Sequence, residues 1–140
     1  SIKIAFVKLN RAQIFAIIWT AFIASSCLLP AAIFKPFSFQ SLLGLDKIIH
    51  LTLYFFFVQL WALSNENLTQ KNKVVILISG IIYGVLIEFL QSALNNGRSF
   101  EIDDMIANTM GCILGTMLLT ITQNMLPLLK KYLPFQKKGN

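Results

Sequence analysis

The charges of this chain are spaced so that four long runs carry almost none. Residues 12–34, between Arg11 and Lys35, have no charge. Residues 48–65, between Lys47 and Glu66, hold only the histidine His50. Residues 74–97, between Lys73 and Arg98, hold one carboxylate, Glu88. Residues 105–129, between Asp104 and Lys130, have none. Each run is close to the roughly 20 apolar residues that cross a ~30 Å hydrocarbon core. Hydrophobic residues make up 56% of the chain and charged residues 13%, about half the charged share usual in a soluble domain. A soluble fold of 140 residues could not cover so much apolar surface, whereas lipid can. The expected fold is therefore all-α, a four-helix transmembrane bundle forming one domain over 1–140, with spans near 13–34, 47–64, 74–94 and 104–126.

The distribution of lysine and arginine orients these spans. Lys3, Lys8 and Arg11 precede the first, Lys71 and Lys73 lie between the second and third, and Lys130, Lys131, Lys137 and Lys138 follow the fourth. Nine of the twelve basic residues thus fall on one side, leaving Lys35, Lys47 and Arg98 on the other. Both termini are expected to be cytoplasmic. The net charge of +6 then reads as a topology signal and a contact with anionic lipid headgroups. No nucleic-acid partner is expected.

The first run, with its basic start, has the outline of a signal peptide, but its apolar stretch continues past Cys27 to Phe34. Pro30 is expected to kink it near the outer end. The loop at 35–46 contains Phe37, Phe39, Leu42, Leu43 and Leu45 and suits an interfacial anchor better than a solvated connector. Cys27 and Cys112 fall inside spans and read as small apolar fillers. There is no disulfide or zinc spacing, and no nucleophile motif.

Polar residues concentrate where spans two and four begin and span three ends. Asp46, His50 and Tyr54 follow i, i+4, i+8 and share a helix face, with Lys47 beside them. Glu88 and Gln91 are i, i+3. A turn, Asn95-Asn96-Gly97-Arg98, leads to Asp103, Asp104 and then Asn108. The acids at 103 and 104 suit the start of a helix, where the dipole favours negative charge. Glu88 and Asn108 have no such excuse, because polar groups inside a span are expensive. The topology puts all of these, and five of the six acids, at one depth in the outer half of the membrane. Gly80 and Gly84, and Gly111 and Gly115, are GxxxG pairs that permit close helix approach.

At these residues the chain resembles the VanZ-like family of small bacterial integral membrane proteins. The resemblance lies in Asp46-Lys47-x-x-His50-x-x-x-Tyr54, Tyr83-Gly84-x-x-x-Glu88-x-x-Gln91, Arg98, Asp104-x-x-x-Asn108 and Gly111-x-x-x-Gly115, over about 46–115. Family members often carry a proline just before the arginine, where this chain has Asn95-Asn96-Gly97. The resemblance implies a multi-pass protein of the bacterial plasma (inner) membrane, in a family whose namesake is linked to teicoplanin resistance.

Three functions fit this pattern. One is a binding site, open outward, for an anionic or amphiphilic envelope molecule such as a lipid-linked precursor or a lipoglycopeptide. Its residues would be Asp46, Lys47, His50, Tyr54, Glu88, Gln91, Arg98, Asp104 and Asn108, with Arg98 expected to pair with Asp104 or Glu88. The second is an enzyme acting on a lipid-linked substrate, with His50, Glu88 or Asp104 in acid/base roles. The third is a scaffold or homo-oligomer assembled through the GxxxG faces. One histidine with two carboxylates can hold a divalent metal, but without a second ligand spacing the sequence gives no reason to expect a metal or cofactor.

Overall fold

The structure, a computed structural model, describes residues 9–34, 45–95 and 97–132. Among these, the regular elements are all helices: α1 (Arg11–Leu28), α2 (Ala31–Phe34), α3 (Leu45–Leu63), α4 (Gln70–Ala93), α5 (Ile102–Met117) and α6 (Leu119–Tyr132). The expected interfacial loop lies outside the described residues up to position 44.

Local chemistry sets the helix ends. Asn10 caps α1 reciprocally: its side chain accepts from the Gln13 N–H at 2.8 Å, and Gln13 Oε1 accepts from the Asn10 N–H at 2.9 Å. Thr69 caps α4 through the Asn72 N–H. Beyond α4 the chain reverses through Asn95 at φ 49° and Gly97 at φ 75°. These are left-handed conformations that asparagine and glycine tolerate best. Asp103 and Asp104 occupy the first turn of α5.

Two spans differ from the expected single helices. The first does not bend at Pro30 and continue. It stops at Leu28, with Leu29 extended (φ −62°, ψ 143°), because a proline drives the residue before it out of helical conformation. α2 is a separate single turn. The fourth run divides between α5 and α6 at Leu118, with a bend of 46°. No proline sits at this break. It coincides with complete burial of Leu119 and with contact between α6 and α3. α1, α3 and α4 are each long and apolar enough to cross a membrane, and α5 with α6 makes a fourth if the bent pair is one span.

The outer surface is apolar although the core, around Ile23, Tyr54, Phe57, Val58 and Cys112, is apolar too. Ile14, Phe15, Ile18 and Phe22 on α1, Ile78, Ile82, Leu86 and Phe89 on α4, and Ile102, Ile106, Met110 and Met117 on α5 are all exposed. His50, Gln59, Glu88, Gln91, Asp104 and Asn108 are buried. Apolar side chains outside and polar ones inside is what a hydrocarbon solvent selects.

α3 is the central helix, and its most extensive neighbour is α5. The approach is close because α5 turns Asp104, Ala107, Asn108, Gly111, Cys112 and Gly115 inward. A Cβ on Gly111 would strike the Leu51 carbonyl oxygen, and one on Gly115 would lie 2.9 Å from that of Phe55. The second glycine pair serves α4: a Cβ on Gly80 would come within 2.8 Å of Cys112 Sγ, and one on Gly84 within 3.2 Å of Asn108 Cβ. Both glycine faces are thus filled from within the chain. α1 is fastened by polar contacts: Trp19 Nε1 donates to Leu53 O at 2.9 Å, Trp61 Nε1 to Thr20 Oγ1 at 3.0 Å, and Tyr83 Oη to Thr20 O at 2.7 Å.

Candidate functional site

The start of α3, the last turns of α4 and the start of α5 meet at one end of the bundle. Lys47, in the first turn of α3, reaches across to α5. Its ammonium pairs with Asp46 at 3.1 Å, with Glu101 at 2.8 Å and, more closely still, with Asp104 Oδ1. One turn deeper, His50 lies between two α5 side chains. Its Nδ1 is 3.0 Å from Asn108 Oδ1, and its Nε2 is 3.5 Å from Asp104 Oδ2. From the opposite side α4 delivers Glu88, which is completely buried. Its Oε2 accepts weakly from the Glu101 N–H at 3.5 Å, while its Oε1 has no hydrogen-bond partner. Single ligand atoms from His50, Glu88 and Asp104 all lie within 4.8 Å of one another.

The remaining residues singled out by the sequence surround this centre. Tyr54 is one turn below His50, fully buried against Tyr83 and Phe57, and its hydroxyl finds no hydrogen-bond partner. Gln91 faces α1 and donates from Nε2 to the Cys27 carbonyl at 2.6 Å, so it fastens helices together. Arg98 is half-buried in the connection from α4 to α5. Asp46 is exposed, which makes Lys47, His50 and Tyr54 the inward face of α3, with Asp46 at its edge. Asp104, which with Glu88 is an expected partner of Arg98, engages Lys47 through Oδ1.

Two participants were not recognised in the sequence. Glu101 binds Lys47 through its side chain and turns its N–H to Glu88. Its position three residues before Asp104 was the available signal. Gln59, deep in α3, donates to the Gly115 carbonyl at 2.8 Å and leaves its Oε1 without a partner. It is an amide in an otherwise apolar stretch, as telling as Asn108.

A shallow apolar groove of about 320 Å³ adjoins the cluster on the surface of the bundle. Ile48, Leu51, Ile106, Ala107 and Met110 line it between α3 and α5, and Lys47 and Asp103 stand at its polar end.

Apolar helices wrapped around a buried polar cluster at one end of the bundle define an integral membrane protein with an interior polar site. The family model described as VanZ/LLP1 matches residues 3–123, and the chain belongs to that family. No curated protein and no solved structure matches the chain.

Proposed function

We propose that this VanZ-like cell-envelope protein is a multi-pass protein of the bacterial plasma membrane that holds an amphiphilic envelope molecule at the outer leaflet. A lipid-linked precursor and a lipoglycopeptide such as teicoplanin are the two forms of that chemistry. Both termini face the cytoplasm, following the distribution of basic residues. The observation that carries the reading is the α3–α5 groove. Its apolar walls suit a hydrocarbon chain, and its polar end, at Lys47 and Asp103, adjoins the buried cluster.

The headgroup chemistry follows from the ion pairs. Lys47 is shared among three carboxylates, so a simple anion must compete with them. A headgroup that both donates and accepts, such as a sugar or peptide beside a phosphate, can engage Lys47 and the surrounding acids together. An enzyme on the same site is the second reading, supported by the placement of His50 between an amide and a carboxylate, which can orient it for proton transfer. The glycine faces are filled by the chain's own helices and lend no support to a scaffold.

The test uses purified protein in nanodiscs with a polyprenyl phosphate and with teicoplanin as probes. Met110→Trp fills the groove without touching the polar cluster, and should abolish binding of either probe that the wild type holds. Failure of the wild type to bind both, or equal binding by the variant, removes the amphiphile reading. Turnover of a lipid-linked substrate that is lost in Glu88→Gln while binding persists would establish the enzyme instead.

A further inference from the structure

We infer that His50, Glu88 and Asp104 form a three-ligand site for a divalent transition-metal ion. Each of the three uses one of its polar atoms on an orienting neighbour. His50 Nδ1 is engaged by Asn108 at 3.0 Å, Asp104 Oδ1 by Lys47, and Glu88 Oε2 by the Glu101 N–H at 3.5 Å. Each keeps its second atom back: His50 Nε2 has Asp104 Oδ2 at 3.5 Å, and Glu88 Oε1 has no hydrogen-bond partner. Neighbours that hold the far atom of every ligand are the usual outer layer of a metal site. His50 is 7%, Glu88 0% and Asp104 8% exposed. A fully buried carboxylate oxygen without a partner is costly, and a cation shared with two further ligands removes that cost.

The imidazole tautomer that suits the site is the one with Nδ1–H donating to Asn108 Oδ1. Its Nε2 lone pair then faces carboxylate oxygen Oδ2, and a cation between the two atoms stabilises that arrangement. Their separation of 3.5 Å is long for a charge-assisted hydrogen bond, which spans about 2.7–2.9 Å. It fits two atoms bound to one ion. With bonds of about 2.1 Å, that separation subtends an angle of about 113°, close to tetrahedral. One imidazole and two carboxylates suit zinc or a similar first-row ion better than magnesium or calcium, which prefer oxygen alone. Three protein ligands also leave a coordination position open to an exchangeable group.

The inference does not rest on the amphiphile reading, and no lipid enters its test. The full chain, purified in detergent and stripped with EDTA, is titrated with Zn2+ by calorimetry. The expected result is about one Zn2+ per chain, with affinity falling at least about tenfold in Glu88→Gln. Glu66→Gln, which alters an exposed carboxylate in the connection from α3 to α4, should keep wild-type affinity. Absence of zinc binding overturns the site, and so does binding that Glu66→Gln abolishes and Glu88→Gln spares. X-ray absorption at the zinc edge on the wild type needs no variant. It should show nitrogen and oxygen ligands at about 2.0–2.2 Å, and a sulfur shell or an oxygen-only shell refutes the assignment.

Discussion

Gly111→Ala is the most informative single substitution, because one methyl group tests both the packing of α5 on α3 and the site above it. The added Cβ would meet backbone rather than a side chain: it strikes the Leu51 carbonyl oxygen and lies 3.0 Å from its carbon and 3.1 Å from its Cα. Ordinary contact begins at 3.4 Å. α3 must therefore recede by several tenths of an ångström from the carbonyl carbon, and by more from its oxygen. Leu51 follows His50 directly, and Gly111 is one turn beyond Asn108. The 3.0 Å contact between His50 and Asn108 is thus stretched toward the limit of a hydrogen bond. Overpacking costs about 1–3 kcal/mol and a lost side-chain hydrogen bond in a membrane bundle about 0.6–1.7 kcal/mol. The better helix propensity of alanine returns about 1 kcal/mol. The net is a loss of about 1–4 kcal/mol.

Gly84→Ala is the control. There the Cβ meets Asn108 Cβ, Tyr54 Cε1 and Asn108 Nδ2 at 3.2–3.3 Å, a milder overlap than the backbone clash at Gly111, and the helix gain offsets much of the cost. Unfolding of the purified proteins in one detergent, followed by circular dichroism against denaturant, measures both. Gly111→Ala should be clearly the less stable of the two. A Gly111→Ala protein within about 0.5 kcal/mol of wild type, or a Gly84→Ala protein that is worse, refutes this account of how α3 and α5 fit.

Three further outcomes follow from particular contacts. Trp19→Phe removes the bond to the Leu53 carbonyl while keeping an aromatic ring, and should lower stability in the same assay by about 0.6–1.7 kcal/mol. Asn108→Ala frees His50 Nδ1 and should weaken zinc binding about 10–100-fold, with calorimetry as the measure. Thiol labelling of intact cells should reach Ser99→Cys from outside and Glu66→Cys only after the membrane is opened, in a background where Cys27 and Cys112 are buried; the opposite pattern reverses the topology.

The sequence by itself determined the solvent. Uncharged runs of membrane-crossing length are legible without any contact information, because the hydrocarbon core penalises each charge independently of what surrounds it. Helical periodicity then placed Asp104, Asn108, Gly111 and Gly115 on one stripe, and α5 does turn all four inward. Depth grouped His50, Glu88 and Asp104, because each stands near the same end of its own run. What lies across a helix–helix interface has no signal of this kind. That Lys47 engages Asp104, that the glycine faces receive α3 and α5 of the same chain, and that Glu101 reaches both Lys47 and Glu88 depend on helix rotation and on separations of a few ångströms. Those are set jointly by every side chain in the interface. The break at Leu118 belongs to the same class: no residue there forbids a helix, and it coincides with the tertiary contact of α6 with α3 and the burial of Leu119.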